Sequence, residues 1–169
     1  MTCKMMSAGA AVLVLCLLVV ASPKPNFSGA WIMDRSRSFG LPGNMQQTMT
    51  VTQTEDQIEV ETKLILPDSE RTVKDTYVMD GKEHEFAPAS PANAPPNTPP
   101  AKGKRTAAWL PGDNGIVVTE VTTAETPKGT VTTQVTRKWT FTAEGELTIA
   151  MYVDGPNGSY EAKRIFLKR

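Results

Sequence analysis

Hydrophobic and polar residues alternate with a period of two along most of the chain. Between residues 58 and 66 the even positions are mainly aliphatic, whereas the odd positions hold Glu59, Glu61 and Lys63. Successive side chains of a strand point to opposite faces of a sheet, so this pattern predicts a half-buried antiparallel strand. Residues 46–53 alternate in the same way and predict its hairpin partner.

Similar segments follow, separated by clusters of Gly, Pro, Asp and Asn that are typical of turns. The further predicted strands are residues 73–79, 82–86, 104–110, 116–123, 130–142, 146–153 and 159–168. Asp80 and Gly81 form a two-residue turn signal, which predicts a hairpin between the strands on either side. With a first strand at residues 29–31, the chain has about eight to ten strands in up-and-down order. A long sheet with one apolar face most readily closes into a barrel, so we predict an all-β, single-barrel fold.

The N-terminus has a different pattern. Lys4 precedes an almost uninterrupted apolar run at residues 10–20, and Val19 and Ala21 place small residues before a cleavage point after Ala21. The apolar run is shorter than the roughly 20 residues that a membrane-spanning helix needs. We therefore expect residues 1–21 to be a secretory signal peptide.

Removal of this leader would leave a barrel domain at residues 22–169, secreted or periplasmic and without a membrane anchor. Cys3 and Cys16 both lie in the leader, so the remaining domain could form no disulfide. The whole chain has 18 basic and 18 acidic residues, and loss of Lys4 leaves a net charge of about −1. This balance, without a basic cluster, argues against nucleic acid as a partner.

One segment interrupts the strand pattern. Residues 87–102 contain six prolines, at Pro88, Pro91, Pro95, Pro96, Pro99 and Pro100. Proline lacks the backbone donor that a central strand requires, so we expect a loop. The loop could be a lid or recognition arm at the mouth of the barrel, or a solvated insertion in a hairpin.

Short motifs spread over nearly the whole of residues 22–169 carry a resemblance to a known class of protein. They are Asn26–Trp31 with Asp34, Tyr77 with Asp80, Gly81 and Lys82, the strand containing Trp109, and the closing Phe166, Leu167 and Lys168. Together they resemble small secreted bacterial proteins with a lipocalin-like β-barrel domain. The resemblance implies a barrel with an internal cavity and names no particular cargo.

In lipocalins the tryptophan of the Gly-x-Trp motif lies at the closed end of the barrel, under a basic residue of the last strand. By this resemblance Gly29 and Trp31 are structural plug residues, with Arg164 or Lys168 as the basic residue over the ring. We assign Arg164 to the plug.

Charged residues on otherwise apolar strand faces are the best candidates for a ligand site. Asp75 alternates with Val73 and Tyr77, and Arg137 shares a face with Trp139. Because a buried charge without a partner is costly, Asp75 and Arg137 would either pair with each other or bind a polar ligand group. An arginine can hold a carboxylate or phosphate in bidentate geometry, with Tyr77 and Trp139 as flat walls. Alternatively, each charge lies near the rim and reaches water.

No motif in the sequence predicts a cofactor, a metal or a catalytic residue. His84 is the one histidine, and the neighbouring Glu83 and Glu85 would lie on the opposite face of a strand, so we interpret the group as a solvated hairpin. The nucleophile-elbow and phosphate-loop motifs are absent from the sequence.

Three functions remain open. The first is a secreted or periplasmic binding protein that holds a small lipophilic or amphipathic molecule in the barrel. The second is a protein-interaction or inhibitor module that presents residues 87–102. The third, which we favour least, is a cofactor-free enzyme with Asp75 as its acid or base.

Overall fold

The described part of the chain is all-β. The computed structural model describes residues 24–40, 43–88, 99–126 and 129–169. These residues form ten strands and a single-turn 3₁₀ helix at Arg35–Arg37. The strands are β1 (Gly29–Met33), β2 (Gln46–Gln53), β3 (Gln57–Leu66), β4 (Ser69–Val78), β5 (Glu83–Phe86), β6 (Lys102–Trp109), β7 (Gly115–Thr126), β8 (Gly129–Phe141), β9 (Leu147–Gly155) and β10 (Gly158–Lys168).

The strands form one antiparallel sheet that curves into an up-and-down barrel. Its order is β4-β3-β2-β1-β10-β9-β8-β7-β6-β5, so neighbours in sequence are neighbours in space and β1 pairs with β10. The predicted fold class is therefore confirmed, and most predicted strands agree with the structure within a few residues. No helix in the described ranges combines the length and the apolar character that crossing a membrane requires.

The predicted hairpin across Asp80 and Gly81 is wrong. The chain does turn there, but β4 and β5 lie at opposite ends of the sheet order and do not form a ladder. The backbone of the turn bonds to β6 instead, because the nitrogen of Gly81 donates to the carbonyl of Ala107 at 3.0 Å. In the gap between the edges, the guanidinium of Arg105 from β6 lies 4.8 Å from the ring centre of Tyr77 on β4 and 4.1 Å from that of Phe86 on β5. The two edges therefore meet across Arg105 instead of through backbone hydrogen bonds.

β5 pairs instead with β6 in an antiparallel ladder, and close packing adds to this pairing. Gly103 of β6 lies opposite Phe86, and a Cβ atom at this glycine would come within 2.5 Å of the Phe86 ring. The absence of a side chain at position 103 lets the ring lie flat against the strand. Phe86 is thereby placed over Arg105.

Aromatic residues close one end of the barrel. Phe27, which is fully buried, precedes β1 and stacks on Phe141 with ring centres 5.0 Å apart. Its backbone carbonyl accepts a 2.9 Å hydrogen bond from Nε1 of Trp31, and its backbone nitrogen donates to Oε1 of Gln53, also at 2.9 Å. Trp31 therefore fixes the segment that fills the end of the barrel.

The basic residue over Trp31 is Lys168, and the assignment of Arg164 to this position is wrong. Trp31 and Lys168 are direct partners in the β1–β10 ladder, and Nζ of Lys168 lies 5.6 Å from the centre of the indole ring. Gly29 adjoins this contact, because a Cβ atom there would lie 3.0 Å from Cε of Lys168. Arg164 is four residues earlier on β10, about 13 Å along the strand, and reaches a different part of the barrel.

We predict that Trp31→Phe lowers the free energy of unfolding by about 1–3 kcal/mol beyond the change for Trp139→Phe, because it leaves the buried carbonyl of Phe27 without its donor. Trp139 is the matched control: it is equally buried, but its indole nitrogen has no hydrogen-bond partner. Urea denaturation of both variants measures the difference. Equal losses would contradict the structural role given to the Trp31 hydrogen bond.

Candidate functional site

A cavity of about 370 Å³ lies inside the barrel. Strands β2, β3, β4, β8, β9 and β10 contribute to it, and Trp139 separates it from the aromatic plug. Its apolar lining includes Met49, Val60, Leu64, Val73, Ile149 and Met151. This volume is in the range that small-molecule pockets occupy.

The structure brings the four predicted ligand residues together. Asp75, Tyr77, Arg137 and Trp139 all line this cavity. The rings of Tyr77 and Trp139 meet edge to face, with centres 6.0 Å apart. Burial raises the pKa of the Tyr77 hydroxyl, which therefore stays protonated at neutral pH.

Asp75 pairs with Arg105, not with Arg137 as one alternative proposed. An oxygen of Asp75 accepts a hydrogen bond of 2.5 Å from a terminal nitrogen of Arg105. A second nitrogen of Arg105 donates to the backbone carbonyl of Thr76 at 3.0 Å. Arg105 therefore joins β6 to both a side chain and a backbone carbonyl of β4 across the edge-to-edge gap.

Arg137 pairs with Glu120, and Glu120 also binds Arg105. Nε of Arg105 donates to Oε1 of Glu120 at 2.6 Å, and Arg137 donates to Oε2 of the same carboxylate. The strand register explains this geometry, because Arg105 is directly opposite Glu120, and Arg137 is opposite Val118, two residues away on the same face. The result is a continuous chain of charges, Asp75–Arg105–Glu120–Arg137.

Arg105 and Glu120 are not among the site residues predicted from the sequence. Both carry the signal that identified Asp75 and Arg137, a charge within a period-two apolar face. Arg105 alternates with Gly103 and Ala107, and Glu120 continues the face of Ile116 and Val118. The alternation that identifies these two residues is visible in the sequence. The pairing of Arg105 on β6 with Asp75 on β4 is not.

Arg164 is the remaining charge that lines the cavity. Within the described ranges it forms no ion pair, and its Nε is buried without a hydrogen-bond partner. Burial and the nearby charge of Arg137 lower the pKa of Arg164, although a guanidinium remains protonated at neutral pH. The two acids and two arginines of the charge chain cancel, so Arg164 leaves one uncompensated positive charge.

Two more residues of the cavity lining each hold one buried polar atom without a partner. Oε1 of Gln47 and Nε1 of Trp139 are buried and make no hydrogen bond in the described structure. Together with Nε of Arg164 they are all of the unpaired buried side-chain atoms among the described residues, and all three residues line this one cavity. Unpaired buried polar groups are costly and rare in proteins, so their concentration here makes this cavity the candidate functional site.

His84 lies apart from the cavity lining. Its Nε2 is 3.0 Å from Oδ1 of Asp80, and its side chain is 43% exposed. Over the residues that the structure describes, no group of three or more His, Cys, Asp and Glu side chains is arranged to hold a metal ion.

The structure describes the two ends of the proline-rich segment 87–102 and not its middle. Residues 89–98 lie outside the described residues, as does the predicted signal peptide at residues 1–21. The predictions made for both segments stay predictions.

Comparisons with known proteins show similarity in structure but not in sequence. No protein-family model matches the chain, and no curated protein sequence matches it. An ileal bile acid-binding protein of zebrafish, crystallised with cholic acid, has 14% identity and a TM-score of 0.49, with 85% of this chain and 98% of that chain covered. Secretory abundant heat soluble protein 4 of Ramazzottius varieornatus has 15% identity and a TM-score of 0.45, over 84% of this chain and 94% of that one. Neither similarity carries an argument about function, which must come from the cavity itself.

We predict that Glu120→Gln lowers the free energy of unfolding by about 3–5 kcal/mol, because it leaves the buried Arg105 and the partly buried Arg137 with one acid between them. Glu61→Gln is the matched control, since Glu61 pairs with Lys74 on the barrel surface and half of its side chain is exposed. An exposed ion pair contributes about 0–1 kcal/mol. Chemical denaturation of both variants measures the difference, and a small loss for Glu120→Gln would contradict the structural role of the charge chain.

Proposed function

We propose that the protein binds a small amphipathic molecule in the barrel cavity, with an anionic head group at Arg164. The observation that carries this proposal is the uncompensated positive charge of Arg164 at the wall of an otherwise charge-balanced cavity. An anionic group there would supply the partner that Arg164 lacks. The favourable interaction is a charge-assisted hydrogen bond, which is stronger than a neutral one.

The rest of the cavity suits the apolar part of such a ligand. The walls formed by β2, β3 and β4 present Met49, Val60, Leu64 and Val73. Burial of a hydrocarbon chain against these side chains contributes roughly 25 cal/mol per Å² of apolar surface removed from water. The charged head and the apolar walls together favour an amphipathic ligand over a purely polar one.

The environment of Asp75 favours binding over catalysis. Asp75 is the candidate acid or base that the sequence suggested, and it already has a structural role in this fold. Asp75 is held by Arg105, in the interaction that joins the edges of the sheet. We therefore propose a binding protein and not an enzyme.

We also propose that the protein acts in the periplasm or outside the cell. The apolar leader, with Val19 and Ala21 as the small residues before the cleavage point, supports this. N-terminal sequencing of the protein from its own host tests it, and the expected first residue is Ser22. A mature protein that retains residues 1–21 would contradict it.

Dodecanoate and dodecanol are suitable probes, because they differ at the head group alone. We expect the wild-type protein to bind dodecanoate more tightly than dodecanol by about tenfold or more, as a hydrogen bond to a charged group contributes about 1.5–3 kcal/mol. Arg164→Met should abolish this preference while leaving the affinity for dodecanol nearly unchanged. Isothermal titration calorimetry measures all of these affinities.

Lys163→Met is the matched control. Lys163 is adjacent to Arg164 on β10 but lies on the outer face, where its backbone pairs with Phe39. This variant should keep the preference for dodecanoate. Arg164→Met should also unfold at a higher temperature than wild type, because it removes a partly buried cation that no acid among the described residues compensates and that the nearby Arg137 repels. Equal affinity of wild type for the two probes, or an intact preference in Arg164→Met, would contradict the proposal.

The proline-rich segment supports an alternative function, protein recognition by residues 87–102. Its described ends border a surface recess of about 750 Å³ that includes Phe86, Pro100 and Lys102. A protein partner that co-purifies from the host and is lost on deletion of residues 87–102 would favour this alternative. Retention of the partner by the deletion variant would contradict it.

A further inference from the structure

β4 has one edge that is paired and one edge that is largely open. Its first edge forms a ladder with β3 along the whole strand, whereas at the second edge Arg105 of β6 bonds to Asp75 and to the carbonyl of Thr76. Within the described ranges, no strand pairs with residues 69–74 on that second edge. Residues 69–72 are exposed at both the inward and the outward positions of the sheet. An open sheet edge is a template for pairing with another chain.

Two backbone hydrogen bonds show which groups of β4 point to the open edge. Just beyond β4, the nitrogen of Met79 donates to the carbonyl of Asp56 at 2.8 Å, on the β3 side. The carbonyl of Thr76 accepts from Arg105 at 3.0 Å, on the opposite side. Because these directions alternate along a strand, residues 70, 72 and 74 present their N–H and C=O groups to the open edge. A second antiparallel strand must therefore place its own outward-directed residues opposite these three.

The charges of β4 fit a second copy of the same strand. In a symmetric antiparallel pair centred on Thr72, Glu70 of each copy lies opposite Lys74 of the other. Opposite charges at facing positions stabilise a strand pair, whereas like charges destabilise it. This register therefore forms two favourable charge pairs and uses the outward-directed backbone groups.

The neighbouring registers are less favourable. With Arg71 at the centre, the two copies of Arg71 face each other directly. With Val73 at the centre, Glu70 faces Thr76, whose carbonyl is already bonded. Thr72 is therefore the centre that the open edge favours.

Ion pairs within the chain extend this match. Nζ of Lys63 lies 2.8 Å from Oε1 of Glu70, and Nζ of Lys74 lies 2.9 Å from Oε2 of Glu61. On the outer face of the paired strands, the sign of the charge therefore alternates from one copy into the other. A lysine on an edge strand ordinarily opposes the addition of another strand. Here each edge lysine meets a glutamate of the second copy, so the open edge favours its own sequence as partner.

We propose that two copies of the chain associate through β4, antiparallel and with Thr72 on the twofold axis. The two barrels then share one continuous sheet, and the interface is isologous. A contact of this length belongs to the small interfaces, below about 1,200 Å² of buried surface, that form weak and transient complexes. The proposal is independent of the cavity ligand, because Glu70, Thr72 and Lys74 do not line the cavity.

Sedimentation velocity of the purified protein from about 10 µM to about 1 mM measures the association, and we expect a reversible monomer–dimer equilibrium. Glu70→Lys and Lys74→Glu each create two like-charge pairs in the homodimer, so each variant alone should dimerise about tenfold or more weakly than wild type. In an equimolar mixture of the two variants, the heterodimer again has two opposite-charge pairs. Its affinity should return to within about threefold of the wild-type value.

Glu83→Lys is the matched control, because it breaks an exposed ion pair between Glu83 on β5 and Lys104 on β6 and should dimerise as wild type does. Thr72→Pro removes an N–H group that points away from β3, so it should keep the fold and remain monomeric. Circular dichroism verifies that the variants are folded. A wild-type protein that stays monomeric at about 1 mM, or a mixture that associates no better than either variant alone, would overturn the proposal.

Discussion

The interaction on which the rest of the barrel depends is the guanidinium of Arg105 between the two edges of the sheet. β4 and β5 lack a shared ladder, so the barrel is closed there by the bonds of Arg105 to Asp75 and the carbonyl of Thr76. The same side chain binds Glu120, which in turn binds Arg137. Arg105 therefore both closes the barrel and takes part in the charge balance of the cavity.

This arrangement explains why the cavity contains so many ionisable groups. A guanidinium buried at the seam requires carboxylates, and each buried carboxylate requires further donors. The chain of charges ends at Arg137, and within the described structure nothing continues it to Arg164. Arg164 therefore leaves a positive charge at the cavity wall, because the chain of ion pairs does not extend to it.

The period of two in the sequence was sufficient to predict the strands and the side of the sheet on which each residue lies. It correctly directed Asp75, Tyr77, Arg137 and Trp139 toward one interior. The alternation could not reveal which distant strands meet, because β4 and β6 are not consecutive in sequence and contact each other only across the gap between the sheet edges. The pairing of Asp75 with Arg105 was therefore missed.

Strand register was the second feature that the sequence alone could not predict. Arg164 and Lys168 lie on the same face of β10 and are chemically similar, so the alternation in sequence does not distinguish them. The ladder with β1 does, by placing Lys168 opposite Trp31. The same holds for the turn at Asp80 and Gly81. The local sequence correctly predicted that the chain turns there, but it did not reveal that β4 and β5 do not pair.

The proposed anionic ligand would compensate the positive charge of Arg164, which no acid among the described residues balances at the cavity wall. Arg164, Gln47 and Trp139 each hold a buried polar atom without a hydrogen bond in the described structure, and such atoms lower the stability of the fold. The measurement that tests this account most directly is native mass spectrometry, with solvent extraction, of the protein purified from its own host. The account predicts one anionic amphiphile per chain. A bound molecule without an anionic group, or a barrel that is empty as isolated, would contradict it.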